Sequence, residues 1–314
     1  MTGMKTSPKV TIVGAGFVGS TAALLIEQKG IADVVLIDVA DGVARGKALD
    51  MRQMAAIAPH GVSVTGTGDY ADTADSDIVV ITAGIARKPG MLREELVAIN
   101  GGVVAEVIER AREVSPDALF MCVTNPLDVM TYLAQKRSDI TPERLFGMGG
   151  VLDTARFTYS ISAELGVAGD RIDALVIGAH GEGMVPLVDG AVVDARPLRE
   201  VASAAQIEAI VEHTVHGGAE IVNLLQTGSA YFAPGAAITK MVEACLTDSD
   251  DVMSVCAYLD GAYGQHDLYM NVPVRLGRAG VREIVELDLS ADERAALDAS
   301  AASIAAQLSE AGLR

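Results

Sequence analysis

The residues able to do chemistry fall in three widely separated segments. One is Gly178-Ala179-His180-Gly181, where a histidine flanked by small residues follows the apolar run Ile172 to Ile177. That places it at an exposed strand end, and an imidazole there can exchange a proton near neutrality. Asp153 and Arg156 lie three residues apart on a helical pattern and share a face. A second segment, Gly84 to Arg93, interleaves Gly and Pro with Arg87 and Arg93, a composition suited to a lid that closes on an anion. The third is Val123-Thr124-Asn125-Pro126, at the end of an apolar run. Pro126 disfavours helical backbone at Asn125, which leaves that amide facing a cleft.

A fourth motif binds rather than reacts. Gly14-Ala15-Gly16-Phe17-Val18-Gly19 fits G-x-G-x-x-G, follows a β-branched run and opens a helical pattern. In that setting the first glycine permits the tight turn, the second lets backbone approach a pyrophosphate, and the third lets helix and strand pack closely. The phosphates then meet unpaired N–H groups at the helix start. Asp38 ends the second apolar run, nineteen residues beyond Gly19. Its carboxylate can accept from ribose hydroxyls and would repel a 2′-phosphate, so NAD is expected over NADP.

The elements that must position these groups are legible as alternation. Val10–Val13, Val34–Ile37, Val62–Val64, Ile78–Thr82 and Leu119–Thr124 read as strands buried on both faces. Helical patterns at Phe17–Gln28, Gly42–Ile57 and Glu94–Val114 separate them. Such alternation predicts right-handed βαβ units and a doubly wound, mostly parallel Rossmann sheet. After about residue 149 the texture changes to an α+β pattern. A helix is expected over Leu152–Leu165, a strand over Ile172–Ile177, and a hairpin turning at Asp189-Gly190 within Val188–Val193. Helices at Ser203–Leu225 and Gly235–Ala244 precede strands at Val252–Tyr258, Tyr269–Leu276 and Val281–Glu286. A final helix is capped by Ser290. The expected division is an NAD-binding domain over 1–150 and a catalytic and oligomerisation domain over 151–314.

Composition sets the outer limits. The 314 residues are half hydrophobic, with no Trp and few Phe or Tyr, so aliphatic side chains and Met must fill the interior. No apolar run reaches the length of a membrane span. The first residues pass directly into a strand pattern without a cleavage site, so a cytoplasmic location is expected. Cys122, Cys245 and Cys256 form no C-x-x-C pair, which points to buried thiols and no metal site. His213 and His216 lack a third ligand, and His60 and His266 have no catalytic setting. A net charge of −18 excludes nucleic acid as partner. It reads either as ordinary solubility or as adaptation to high salt, and it requires that any anionic substrate be met by locally placed arginines.

Taken together the motifs resemble the lactate/malate dehydrogenase family over nearly the whole chain. The likeness includes the glycine loop, A-G-I-A-R-K-P-G-M-x-R, V-T-N-P-L-D-V-M-T, L-D-T-A-R-F, G-A-H-G and T-G-S-A-Y-F-A-P at Thr227 to Pro234. The resemblance implies that His180 is the proton donor and acceptor, while Asp153 fixes its tautomer and raises its pKa. It implies that Arg156 clamps a carboxylate, Arg93 polarises the carbonyl and Asn125 bonds the substrate. Gly14 to Gly19, Asp38, Asn100, Val123, Thr124 and Asn125 would hold NAD. Family members carry Arg at the position of Arg87 when the substrate is malate and typically Gln when it is lactate, so reversible oxidation of (S)-malate to oxaloacetate is expected. A lactate dehydrogenase and a non-catalytic NAD-binding protein are the alternatives. The family usually has Asp and then Ser or Thr after its His-Gly pair, whereas this chain has Glu182 and Gly183, which puts the local loop geometry in question. A homotetramer, or a dimer, is implied, with the apolar stretches Leu49–Ile57 and Ala219–Leu225 as candidate interfaces. No membrane partner is expected.

Overall fold

The β-branched runs form strands, and the glycines between them let helices begin at once. The structure is a computed structural model that describes residues 7–85 and 91–314, with Arg93 described by its backbone alone. Arg87 and the rest of segment 86–90, the centre of the expected lid, lie outside the described residues. The first half runs β1 (Lys9–Val13), α1 (Phe17–Lys29), β2 (Asp33–Ile37), α2 (Asp41–Met54), β3 (Val64–Thr67), β4 (Ile78–Ile81), α3 (Arg93–Val114), β5 (Leu119–Cys122), α4 (Leu127–Lys136) and β6 (Leu145–Gly147). Its strands lie in the order β3-β2-β1-β4-β5-β6, and each neighbouring pair is parallel. Each of β1, β2, β4 and β5 contributes four consecutive buried residues, as a sheet covered on both faces demands. Chain order reverses between β1 and β4, and it is at such a switch point that open α/β sheets take ligands, in the crevice outside the carboxyl ends of the strands.

The second half contains α5 (Gly150–Leu165), β7 (Ile172–Asp173), β8 (Val176–Gly178), β9 (Met184–Pro186), β10 (Val192–Val193), β11 (Arg196–Pro197) and α6 (Leu198–Val201). It continues with α7 (Ala204–Leu225), α8 (Phe232–Thr247), β12 (Val252–Asp260), β13 (His266–Gly277), β14 (Gly280–Ile284) and α9 (Ala291–Glu310). The parallel sheet does not stop at β6. Gly147 pairs with Cys256 of β12, and Asn271 of β13 pairs with Gly178 of β8, so one mixed sheet crosses both halves. Ser203 and Ser290 each close a capping box, with Gln206 and Glu293, at the starts of α7 and α9.

Three expectations need correction. The expected strand Val62–Val64 instead runs from Val64 to Thr67, because the register with β2 extends pairing through Gly66. A Cβ at Gly66 would lie 2.3 Å from the Ala44 carbonyl of α2, so a strand-poor residue is required there by close helix packing. The run Ile172–Ile177 is two strands: β7 pairs with β10 in a small three-stranded sheet, and β8 joins the main one. Asp189-Gly190 is not a two-residue hairpin turn, because β9 and β10 belong to different sheets. The hairpin is β10–β11, and its turn is Asp194-Ala195, both at positive φ.

Among the described residues no helix is long and apolar enough to cross a membrane. The three cysteines are free and buried, and burial pushes the thiols of Cys122 and Cys245 up to about 12.

Candidate active site

The glycine loop occupies the turn between β1 and α1. Gly14 takes φ 110°. A Cβ on Gly19 would fall 2.0 Å from the Gly14 carbonyl, so helix and turn touch through a missing side chain. At Gly16 the same atom would meet nothing within 4 Å, which leaves that face of the loop bare toward the crevice. Gly16 is also the N-cap of α1 and supplies no side-chain cap, so the first N–H groups of the helix keep their capacity for an anion. Asp38, just past β2, accepts from the N–H of Ala15 at 2.7 Å through one oxygen and from that of Ala40 at 2.9 Å through the other. Each oxygen keeps a lone pair for a hydroxyl. These features fit a dinucleotide whose pyrophosphate lies on the loop and whose ribose lies on Asp38.

His180 follows β8, and α5 brings Asp153 against it. The Asp153 Oδ2 lies 2.8 Å from His180 Nδ1. An ionised carboxylate only accepts, so Nδ1 must donate, and Nε2 is the nitrogen left to exchange a proton. The other Asp153 oxygen accepts from Arg156 Nη1 at 3.2 Å. One carboxylate, 1 % exposed, therefore serves both the imidazole and the guanidinium. Burial alone would lower the His180 pKa. The charge and hydrogen bond of Asp153, with the charge of Asp128, outweigh it and hold the value above that of ordinary histidine, while Arg156 opposes them. Arg156 passes over α7 where glycines make room: a Cβ on Gly218 would stand 3.2 Å from its Nη2. Among the described residues the buried Arg156 Nε has no hydrogen-bond partner.

Four supports of this site were not singled out in the sequence. Asp128, in the first turn of α4 and 5 % exposed, accepts from the His180 backbone N–H at 3.0 Å and from the Cys256 thiol at 3.4 Å. Burial raises its pKa to about 6 against the pull of His180. Asn271 accepts from the Gly150 N–H at 2.7 Å and donates to the Gly178 carbonyl at 2.9 Å, tying the start of α5 to β8. Ser300 of α9 accepts from the Ala179 N–H and donates to the Gly183 carbonyl, both at 2.7 Å. The fourth is the glycine pair of α7. Asp128 had a visible signal, a charge set between Leu127 and Val129 in the apolar first turn of α4. The tight loop also accounts for Gly183, since a Cβ there would sit 3.1 Å from the Ala179 Cβ.

Of the remaining expected residues that are described, Val123, Thr124 and Asn125 follow β5, and Arg93 and Asn100 lie on α3. Asn100, fully buried on α3, accepts from the Ile85 N–H and donates to the Ile85 and Asn125 carbonyls, bracing two loops against each other. Thr124 donates to the Ala83 carbonyl at 2.6 Å, Val123 is half-buried, and Asn125 is exposed at the rim. Arg93 opens α3. Among the described residues no cluster of three or more His, Cys, Asp or Glu could hold a metal ion.

Comparison with known proteins bears on the whole chain. Residues 8–147 match the model of the lactate/malate dehydrogenase NAD binding domain, and residues 150–312 match that of the lactate/malate dehydrogenase alpha/beta C-terminal domain. A malate dehydrogenase of Desulforudis audaxviator is 49 % identical over 296 residues, covering 94 % of this chain and 96 % of its own. The solved malate dehydrogenase of Salinibacter ruber superposes with a TM-score of 0.91 at 46 % identity, over 96 % of each chain. A Cryptosporidium parvum lactate dehydrogenase, solved with lactic acid and nicotinamide adenine dinucleotide, superposes at 0.93 with 39 % identity, over 96 % of this chain and 97 % of that one.

Proposed function

The chain belongs to the lactate/malate dehydrogenase family, and from that membership we propose that it interconverts (S)-malate and oxaloacetate. It is an NAD-dependent oxidoreductase. The reaction class rests above all on Asp153, which joins a proton-transferring imidazole to an anion-holding guanidinium through one carboxylate. Bound NAD would supply the hydride chemistry at the substrate carbon. Gly14, Ala15, Gly16, Phe17, Val18 and Gly19 would hold its pyrophosphate and Asp38 its ribose, and Asn100, Val123, Thr124 and Asn125 would hold its nicotinamide end.

The chain's own residues supply the rest of the chemistry. His180 Nε2 gives a proton to the keto oxygen in reduction and takes it back in oxidation. Asp153 keeps Nδ1 protonated and stabilises the imidazolium. Arg156 grips the carboxylate next to the reacting carbon, and Asn125 bonds the substrate. Arg93 answers the negative charge that develops on the carbonyl oxygen. Arg87 pairs with the second carboxylate. With pyruvate that guanidinium would lose its partner, a penalty of about 1–3 kcal/mol for a desolvated charge.

The further assignments go with this reading. Residues 1–150 form the dinucleotide-binding unit and 151–314 the catalytic one. The chain works in the cytoplasm, within the tricarboxylic acid cycle, as a homotetramer or a dimer. Leu49 and Ile57, with Val222, Leu224 and Leu225, are exposed apolar residues in the stretches proposed as interfaces. The charge of −18 supports adaptation to high salt.

The deciding assay is NADH oxidation with oxaloacetate and with pyruvate, in dilute and in molar salt. Strong preference for oxaloacetate is expected, and pyruvate preference would replace the substrate while keeping the reaction. That second reading draws on the lactate dehydrogenase neighbour and is opposed by Arg87. His180→Asn should lose about 10²- to 10⁴-fold in rate while still binding NADH. Equal inactivity of wild type and variant, with NADH bound to both, would make this a binding protein.

A further inference from the structure

Lys47 has no part in the roles assigned so far, yet it reaches across from α2 to the glycine loop. Its Nζ lies 2.6 Å from the Ala15 carbonyl, 3.3 Å from the Gly16 carbonyl and 3.2 Å from Ser20 Oγ. Its ammonium also stands 5.5 Å from the centre of the exposed Phe17 ring. Among the described residues it is the only side-chain cation in polar contact with the loop from Gly14 to Gly19.

A trans peptide unit points its C=O and its N–H in opposite directions. Holding the Ala15 and Gly16 carbonyls on the Lys47 side therefore turns the N–H groups of Gly16 and Phe17 the other way. Among the described residues neither N–H has a partner, and Gly16 is the position where the loop faces open space. Ala15 is gripped at both ends, its N–H by Asp38 and its C=O by Lys47. The carboxylate that faces the ribose and the ammonium behind the pyrophosphate thus fix a single residue between them. In a molecule of net charge −18, this is also a positive charge beside the place where two phosphates must rest.

We propose that Lys47 is a positioning residue for the cofactor: it aims the loop's N–H groups at the pyrophosphate and adds the charge that offsets it. The inference rests on the dinucleotide reading of the loop. Its effect is confined to ligands carrying the diphosphate.

The test compares NADH, ADP and adenosine binding to the full chain, by fluorescence for NADH and calorimetry for the others. Lys47→Met should weaken NADH and ADP by about tenfold, the scale of a charged hydrogen bond, and leave adenosine within about twofold. The KM for NADH should rise by more than kcat falls. Lys47→Arg should recover most of the ADP affinity, because a guanidinium can reach both carbonyls. Unchanged ADP affinity in folded Lys47→Met would overturn the proposal. So would equal weakening of ADP and adenosine, which would mark general damage to the loop. If Lys47→Met does not fold, Lys47→Gln is judged by the same comparison. A wild-type chain that binds none of the three removes the dinucleotide reading itself.

Discussion

At the residue scale the site is organised by carboxylates in two different states of constraint. Asp153 has one oxygen engaged by an imidazole and the other by a guanidinium, whereas Asp128 is buried against a backbone N–H and a thiol. Removing the charge of Asp153 should therefore lower the His180 pKa, which that carboxylate holds up. Reduction of oxaloacetate needs the protonated imidazole, so its rate falls as pH rises through the His180 pKa. In Asp153→Asn that falling limb should move to lower pH, with a rate loss of about 10²-fold or more. Stability carries the same sign. A raised histidine pKa contributes stability below the unfolded value and loses it as pH rises through the folded one, so melting temperature should depend less on pH in the variant. A limb that stays in place would show that Asp153 does not govern the proton. His180, Asp153 and Arg156 were legible because each stands in a short motif. Asn271 and Ser300 were not, because their bonds to α5 and the catalytic loop each span 121 residues and leave no local pattern, whereas Asp128 left a cue in its own motif and only its partner, 52 residues away, was hidden.

At the element scale, what matters is how α5 is held against β8. Gly150 begins α5, Gly178 ends β8, and the Asn271 side chain bonds to both from β13. Asn271→Ala would leave a buried N–H and a buried carbonyl without partners, at about 1–3 kcal/mol each. A lower melting temperature should accompany a fall in kcat larger than any rise in KM for NADH, because Asp153 lies on α5 and His180 directly follows β8, the two elements that part. A loss of stability with unchanged kcat would confine Asn271 to the scaffold. The parallel half of the sheet could be read from its continuous apolar runs. The split of Ile172–Ile177 between two sheets could not, since Ala174 and Leu175 between the pieces carry no turn signal and only the partners, β10 and β13, tell the two strands apart. The Asp194-Ala195 turn was hidden for a related reason. Ala195 adopts positive φ without being glycine or asparagine, so composition gave no cue.

At the scale of the whole molecule, one sheet spans both halves, and among the described residues a single strand pair, Gly147–Cys256, carries it across. Around it lies a surface whose charge totals −18. Self-repulsion of that size weakens the folded state in dilute buffer and is screened within a few ångströms by molar salt. Melting temperature and oxaloacetate reduction should both rise on transfer to molar KCl, and a salt-indifferent melting curve would reduce the acidity to ordinary solubility. The shared carboxylate Asp153 has its own consequence for exchange with solvent. Arg156 opposes protonation of His180, so an anion that neutralises Arg156 must favour it. By reciprocity, protonation of His180 tightens the grip on the anion by the same factor. Substrate anion and proton are then heterotropic ligands that recruit each other, and oxaloacetate would enter the cleft drawing its proton from the buffer as it binds.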